Sequence, residues 1–250
     1  MASPSRRLSD SPVRVAEQQR WLVTGASRGI GRAIAERAAQ TGAKVAGLAR
    51  SNASGEDEGG ILSLTADVTD DDSVAAAVEE LAGNWGGIDV VINNAGLHRG
   101  GLVERIASDD FSSVLATNVS GPLNVVRACL PHIPEEGGSI VNIGAVVGMR
   151  GFAGDVAYGT SKAALAGMTR VLAVELARRS VRVNLVIPGF VSTEMTADVP
   201  EKARDRIVAE IPLGREGSPA EIAEVVWWVA QSPYMTGSTI ATDGGLMAKL

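Results

Sequence analysis

The stretch WLVTGASRGIGRAIAERAAQTGA (Trp21–Ala43) decides the fold. Four residues, Trp21 to Thr24, form a short apolar run that ends in glycine. Ile30, Ala33, Ile34 and Ala38 then recur at helical spacing, and Gly42 closes the pattern. The stretch therefore reads as strand, tight turn, helix. Three glycines sit in the turn. Gly25 permits the sharp reversal, and Gly29 and Gly31 let backbone approach a ligand and let the helix pack close to a sheet. A helix that begins at such a turn presents unpaired N–H groups to an anion. Three glycines alone also arise from plain turn chemistry. In this context the phosphate of a dinucleotide is the better reading.

Working outward, the same alternation repeats to the end of the chain. KVAGLAR (44–50), GILSLTADV (60–68), IDVVINNAG (88–96), GSIVNIGAV (138–146), VRVNLVIPG (181–189) and STIATDGG (238–245) read as strands. Helical patterns separate them, including one long helix over 108–133 and another over 158–179. SPAEIAEVVWWVAQS (218–232) opens with a Ser cap and a first-turn proline. Strands that are apolar throughout, alternating with helices, predict a parallel sheet covered on both faces. The expectation is one α/β, doubly wound (Rossmann-type) domain over 19–250 with a seven-stranded parallel sheet. Residues 51–60 read as an acidic, turn-rich loop. Residues 1–18, polar with two prolines, read as a flexible arm.

Composition narrows the function. The 250 residues are 45% hydrophobic and 4% aromatic, with 29 glycines, which suits close helix-on-sheet packing. The net charge of −6 comes without a basic stripe, so a nucleic-acid partner is not expected. No apolar run approaches a membrane span, and no apolar segment follows Arg6 and Arg7 as in a secretory signal. The single cysteine, Cys129, sits in an apolar helical pattern as a core residue, in keeping with a reducing cytoplasm. The two histidines, His98 and His132, offer no metal constellation and read as isolated surface or core residues.

Cofactor choice turns on the end of the second strand. An acid there holds a free ribose 2′-hydroxyl, whereas this chain has Arg50 and Ser51. A guanidinium suits a 2′-phosphate, and Arg28 in the glycine turn is a second one. The alternative for both is a solvated surface arginine. Together they favour NADP(H) over NAD(H). Asp67 and Val68 close the third strand and suit the adenine, and a cap on the next helix is the competing reading of Asp67.

These pieces together resemble the classical short-chain dehydrogenase/reductase family over nearly the full chain. The matching phrases are TGASRGIG (24–31), DV (67–68), NNAG (93–96), Asn118, YGTSK (158–162), PGFVSTEM (188–195) and DGG (243–245). Within the family the chain is most similar to 3-oxoacyl-[acyl-carrier-protein] reductases. The resemblance implies that Tyr158 is the proton donor to a carbonyl oxygen, that Lys162 lowers the tyrosine pKa and holds the nicotinamide ribose, and that Asn118 anchors a relay water. It implies a cofactor bed of Gly25, Ser27, Arg28, Gly29, Ile30 and Gly31 at the turn. Asn94, Ala95 and Gly96 would lie near the adenosine ribose, and Pro188, Gly189, Val191 and Thr193 along the nicotinamide. The spacing agrees physically, because residues i and i+4 share a helix face and a neighbouring ammonium favours a phenolate.

One departure stands out. The family's catalytic serine lies thirteen residues before the tyrosine, where this chain has Ala145. Loss of one preorganised donor typically costs ~10²–10³ in kcat. Three explanations stay open: a deliberate substitution, a natural enzyme that is slow or uses a bound water or a substrate hydroxyl instead, or a protein that binds NADP(H) without turning over. The leading expectation is an NADP(H)-dependent reductase of a 3-oxoacyl thioester or similar ketone. An NADP(H)-binding protein and an NAD-dependent alcohol dehydrogenase are the alternatives. Residues 190–214 suit a helical lid over the substrate. Arg178 and Arg179 are candidates for a basic patch toward acyl carrier protein, while Glu135 and Glu136 argue against that partner. The resemblance also implies a homotetramer built through the two long helices and the last strand.

Overall fold

In a computed structural model of the chain, the described residues are 19–50, 55–57 and 59–248. The proposed arm and Ser51 lie outside them. Chain order is β1 (Arg20–Thr24), α1 (Gly29–Ala39), β2 (Lys44–Ala49), β3 (Gly55–Glu56), β4 (Ile61–Thr65), α2 (Asp71–Trp85), β5 (Val90–Asn93), α3 (Ser108–Leu115), α4 (Gly121–Cys129), β6 (Gly138–Ile143), α5 (Val156–Leu176), β7 (Val181–Pro188), α6 (Glu194–Ala197), α7 (Glu201–Glu210), α8 (Pro219–Gln231) and β8 (Thr239–Thr242).

The sheet order is β3-β4-β2-β1-β5-β6-β7-β8. Seven strands run parallel, as expected. The eighth, β3, is antiparallel to β4 and comes from the segment expected to be loop. Its two residues pair through backbone alone, which leaves no side-chain alternation to read.

Alternation along the central strands divides the core in two. Trp21, Val23, Val45 and Val186 face Ile34, Ala35 and Ala38 of α1 and Val226 and Val229 of α8. Leu22, Val91, Ile140 and Val183 face Val74 and Leu81 of α2, Val125 and Cys129 of α4, and Leu172 of α5. Cys129 is fully buried, as expected. Each layer removes wide apolar surface from water, which is the main drive for this architecture. Where β1 leaves the edge opposite the cleft, Arg20 and Asp89 form a buried bidentate pair at 2.7 and 2.8 Å.

The predicted long helix over 108–133 is interrupted. Residues Ala116–Ser120 widen into a π turn between α3 and α4, and Leu130–His132 tighten into a 3₁₀ turn. Pro122 has no N–H to donate back to the Asn118 carbonyl, so regular α pairing cannot pass this point. The interruption places Asn118 inward, fully buried. Among the described residues no helix is long and apolar enough to cross a membrane.

Candidate active site

In a parallel sheet the loops after the strands gather at one edge, and a topological switch opens a crevice there. This cleft has a volume of about 390 Å³. Gly25, Ser27, Arg28, Gly29 and Ile30 line it at the head of α1; Arg50, Asp67 and Val68 line it after β2 and β4. Asn94, Ala95 and Gly96 follow β5, Ala145 follows β6, Pro188 ends β7, and Gly189, Val191 and Thr193 follow it. Tyr158 and Lys162 enter from α5.

The glycine turn fits a dinucleotide by what it excludes. Gly25 has φ 66°, and a Cβ there would lie 2.8 Å from the Ala95 Cα. Gly31 does not line the cleft. A Cβ on it would collide with the Gly25 carbonyl and the Asn94 amide, so it lets α1 sit tight against β5. Asn94 Nδ2 donates to the carbonyls of Thr24 and Gly25 at 3.0 and 3.1 Å, fixing the turn. The bare helix start and the backbone-only floor make a bed for a pyrophosphate.

The two arginines differ. Arg50 is exposed, lines the cleft and has no ion-pair partner among the described residues. Arg28 pairs with Glu194 of α6 across the cleft at 2.6 Å. Asp67 accepts from the Thr69 N–H and hydroxyl at 2.9 and 2.8 Å. The cap of α2 is Asp70, which accepts from the Ser73 N–H, so the capping alternative for Asp67 fails.

At the other end, Tyr158 is half-buried and Lys162 is buried. Lys162 Nζ lies 5.6 Å from the Tyr158 ring centroid and donates to the Ile143 carbonyl at 2.8 Å. The expected depression of the tyrosine pKa is absent. Burial, then the Asp155 carboxylate, push the phenol up to about 12. Burial pulls the Lys162 ammonium down to about 8. The lysine ammonium donates to the Ile143 carbonyl, while the charge of Asp155 adds to burial in favouring the neutral phenol. The phenol is therefore firmly protonated at neutral pH, which suits a proton donor.

Asn118 does not line the cleft. Its Oδ1 accepts from the Leu97 N–H at 2.7 Å, and its Nδ2 donates to the Leu97 carbonyl and to Ser161 Oγ, each at 2.9 Å. Both amide hydrogens are committed, so the side chain acts as a clamp between the β5 loop and α5. Ala145 lines the cleft where the serine was expected and offers no donor. Sequence reading missed Leu97 and Thr117, which line the cleft, and named only as part of the segment 190–214 three more that do, Glu194, Met195 and Thr196. It also set aside His98, whose ring stands edge-on to Tyr158 at 5.0 Å.

Two further expectations fall. Arg178 and Arg179 directly precede β7, and Glu135 and Glu136 precede β6. Starts of parallel strands lie at the edge opposite the cleft. Arg179 instead donates to the Leu130 carbonyl at 2.6 Å. Neither pair bears on the entrance. The lid expectation holds in form: 190–214 contains α6 and α7, tied down by Arg204–Glu216 at 2.8 Å and Arg150–Glu210 at 2.7 Å. No cluster of metal-binding side chains occurs among the described residues.

A doubly wound sheet with a glycine-turn crevice and an inward Tyr–Lys pair defines a nicotinamide-type oxidoreductase architecture. Comparison with known proteins agrees. Residues 25–247 match the family model described as enoyl-(acyl carrier protein) reductase. The 3-oxoacyl-[acyl-carrier-protein] reductase of Thermotoga maritima is 43% identical over 90% of this chain and 96% of its own. Carbonyl reductase family member 4 of Xenopus laevis is 41% identical over 91% and 98%. A mutant of a Serratia marcescens short-chain dehydrogenase/reductase superposes with TM-score 0.85 at 36% identity, covering 91% of this chain and 97% of that one. The chain belongs to the short-chain dehydrogenase/reductase family and is an oxidoreductase of that family.

Proposed function

We propose that the protein reduces a 3-oxoacyl thioester or similar small ketone with NADPH. The observation that carries this reading is the Tyr158–Lys162 pair in one cleft with the glycine turn and with Arg50, which has no ion-pair partner among the described residues. Bound NADPH would supply a hydride. Gly25, Gly29 and the head of α1 would cradle its pyrophosphate, and Arg50 and Arg28 would meet its 2′-phosphate. Ser27, Ile30, Asp67, Val68, Asn94, Ala95, Gly96, Pro188, Gly189, Val191 and Thr193 would line its course.

Tyr158 would give its proton to the carbonyl oxygen as the carbonyl carbon becomes tetrahedral. Its protonated state at neutral pH favours this direction. Lys162 would hold the nicotinamide ribose with the hydrogens not used on Ile143. Asn118 would act by positioning, since it fixes Leu97 against α5. The names of the relatives support 3-oxoacyl thioesters or other carbonyl compounds as the substrate class, with acyl carrier protein as a candidate partner. We draw the proposal of a homotetramer from the same family.

The test is consumption of NADPH against acetoacetyl-CoA and a ketone panel, read as loss of dihydronicotinamide absorbance. Arg50→Asp should cut kcat/KM for NADPH by roughly tenfold or more, the order expected from losing a charge-assisted phosphate contact of ~1.5–3 kcal/mol. It should leave NADH use nearly unchanged. Binding of NADPH without consumption across the panel would overturn the reductase reading. An equal effect of Arg50→Asp on both cofactors would overturn the phosphate role.

A further inference from the structure

Ser161 stands between the tyrosine and the lysine, three residues after Tyr158 and one before Lys162. Its side chain is fully buried. The hydroxyl donates to the Tyr158 carbonyl at 2.7 Å and accepts from Asn118 Nδ2 at 2.9 Å. The first bond alone is a common habit, because serines in helices often turn back to a carbonyl three or four residues earlier. The second bond reaches out of the helix. Asn118 is 43 residues away, in the π turn between α3 and α4. It also holds both backbone polar groups of Leu97, at 2.7 and 2.9 Å, and Leu97 lines the cleft. The hydroxyl therefore closes one line of hydrogen bonds from the cleft wall to the backbone of the tyrosine.

The donors on that line are all used. The two Nδ2 hydrogens go to Leu97 and Ser161, and the serine proton goes to Tyr158. A buried amide hydrogen left without an acceptor is costly, so the line favours one geometry over its neighbours.

The far side of the same helix start is held by close packing. Gly159, two residues before Ser161, points nearly the opposite way round the helix axis and shares its face with Lys162 and Ala163. A Cβ on Gly159 would lie 3.0 Å from the Val147 carbonyl oxygen. A Cβ on Gly148 would lie 2.7 Å from both the Ala163 nitrogen and the Lys162 carbonyl carbon. The turn Val146–Gly148 thus meets the first turns of α5 through bare backbone. Tyr158 is carried between a packed side and a hydrogen-bonded side, and Ser161 supplies the second.

We propose that Ser161 is a positioning residue for Tyr158: by joining the tyrosine backbone to Asn118, it sets where the phenol meets the substrate's carbonyl oxygen. The proposal rests on the reductase reading. Ser161 touches neither substrate nor cofactor and transfers nothing. The hydride comes from NADPH, the proton from Tyr158, and the products are the alcohol and NADP⁺. What Ser161 contributes is alignment, and rate is steep in alignment, since a misplacement of about 1 Å costs on the order of 10².

The experiment compares the parent, Ser161→Ala, Asn118→Ala and the double variant, each as the full chain, with NADPH and whichever ketone of the panel is turned over. Ser161→Ala removes one oxygen and introduces the best helix former, so α5 keeps its structure. Fluorescence titration with NADPH counts the active sites, so that lost protein is not read as lost rate. Ser161→Ala should lower kcat per site by ~10-fold or more, with KM for the ketone and affinity for NADPH within about twofold of the parent. The solvent isotope effect on kcat should rise, because proton delivery is the step that misalignment slows. A purely structural loss changes the number of sites and leaves that effect where it was. The double variant should be no slower than Asn118→Ala, because both substitutions break the same line of bonds. An unchanged kcat per site in Ser161→Ala, an unchanged solvent isotope effect, or losses that add in the double variant would overturn the role of Ser161 while leaving the reductase reading intact. A parent that binds NADPH and turns over no ketone of the panel overturns the reductase reading and takes this proposal with it.

Discussion

Lys162 carries its ammonium into a buried position, where it donates to one backbone carbonyl, that of Ile143. Burial alone holds its pKa down at about 8 against an ordinary 10.5. The linkage has a definite sign. The unfolded chain binds this proton more tightly than the folded one, so the folded state is penalised below pH 8, and the penalty disappears as pH rises from about 8 to 10.5. A depression of this size corresponds to about 3 kcal/mol. Lys162→Met removes that cost together with the hydrogen bond to Ile143, and only the first depends on pH. The stability of the variant relative to the parent should therefore fall by most of ~3 kcal/mol between pH 7 and pH 10.5. Urea unfolding at both pH values measures it, and a difference independent of pH would mean the ammonium is better solvated than its burial indicates. A residue this costly to the fold is one that function retains. At this scale the sequence was most legible where residue type and short spacing together define a role. Tyr158, Lys162 and the glycines of the turn needed only local neighbours. His98 was not legible, because Asp155 lies 57 residues away and only the pairing of Gly101 with Asp155 brings the two together.

Between elements, the contact that spans the cleft is Arg28 at the head of α1 with Glu194 at the head of α6. Both side chains are about two-thirds exposed, 69% and 65%, so the pair is worth at most ~1 kcal/mol. Its consequence is competition. A 2′-phosphate that recruits Arg28 must first separate it from Glu194, and separation loosens α6 from the glycine turn. Glu194→Gln should tighten NADPH binding by up to about fivefold, the factor equivalent to that energy. NADH, which lacks the phosphate, should be unaffected. Fluorescence titration of both cofactors reads the result. Equal tightening of both would show that Glu194 acts by general charge repulsion instead. Element boundaries were legible where a cap or a glycine marks them, as at Ser218 and at Gly42, just past the end of α1. Two features escaped. The π turn at Ala116–Ser120 lies inside an unbroken apolar pattern, and its signal is Pro122, four residues after the carbonyl it cannot serve. The strand β3 pairs through two backbone positions and is braced by the contact of Arg32 with Asp57, neither of which leaves a periodic trace.

At the scale of the molecule, apolar alternation gave the doubly wound sheet because each strand has to bury both faces. It did not give the edge at which a charged pair falls, which is why Arg178–Arg179 and Glu135–Glu136 were misassigned to the entrance. Among the exposed large hydrophobics of the described residues, two groups stand on helices that cover opposite faces of the sheet. One is on α5, where Val171 and Val174 are 56% and 78% exposed at i,i+3 spacing. The other is formed by Trp228 of α8, 53% exposed, and the fully exposed Tyr234, near the strand β8 at the sheet edge. Trp227, its neighbour, instead packs inward with Arg37 stacked 4.4 Å above it. Each patch can meet its own copy about a two-fold axis, and two independent two-fold contacts close into a tetramer of dihedral symmetry. Sedimentation velocity should then give a tetramer for the parent. Val174→Glu should leave a dimer joined through the α8–β8 face, and Trp228→Asp a dimer joined through α5. Loss of the α5 contact should matter more for turnover, because α5 carries Tyr158 and Lys162. Its kcat should drop while the Trp228→Asp dimer keeps most of its rate. A parent that sediments as a monomer would mean that both patches serve some other contact.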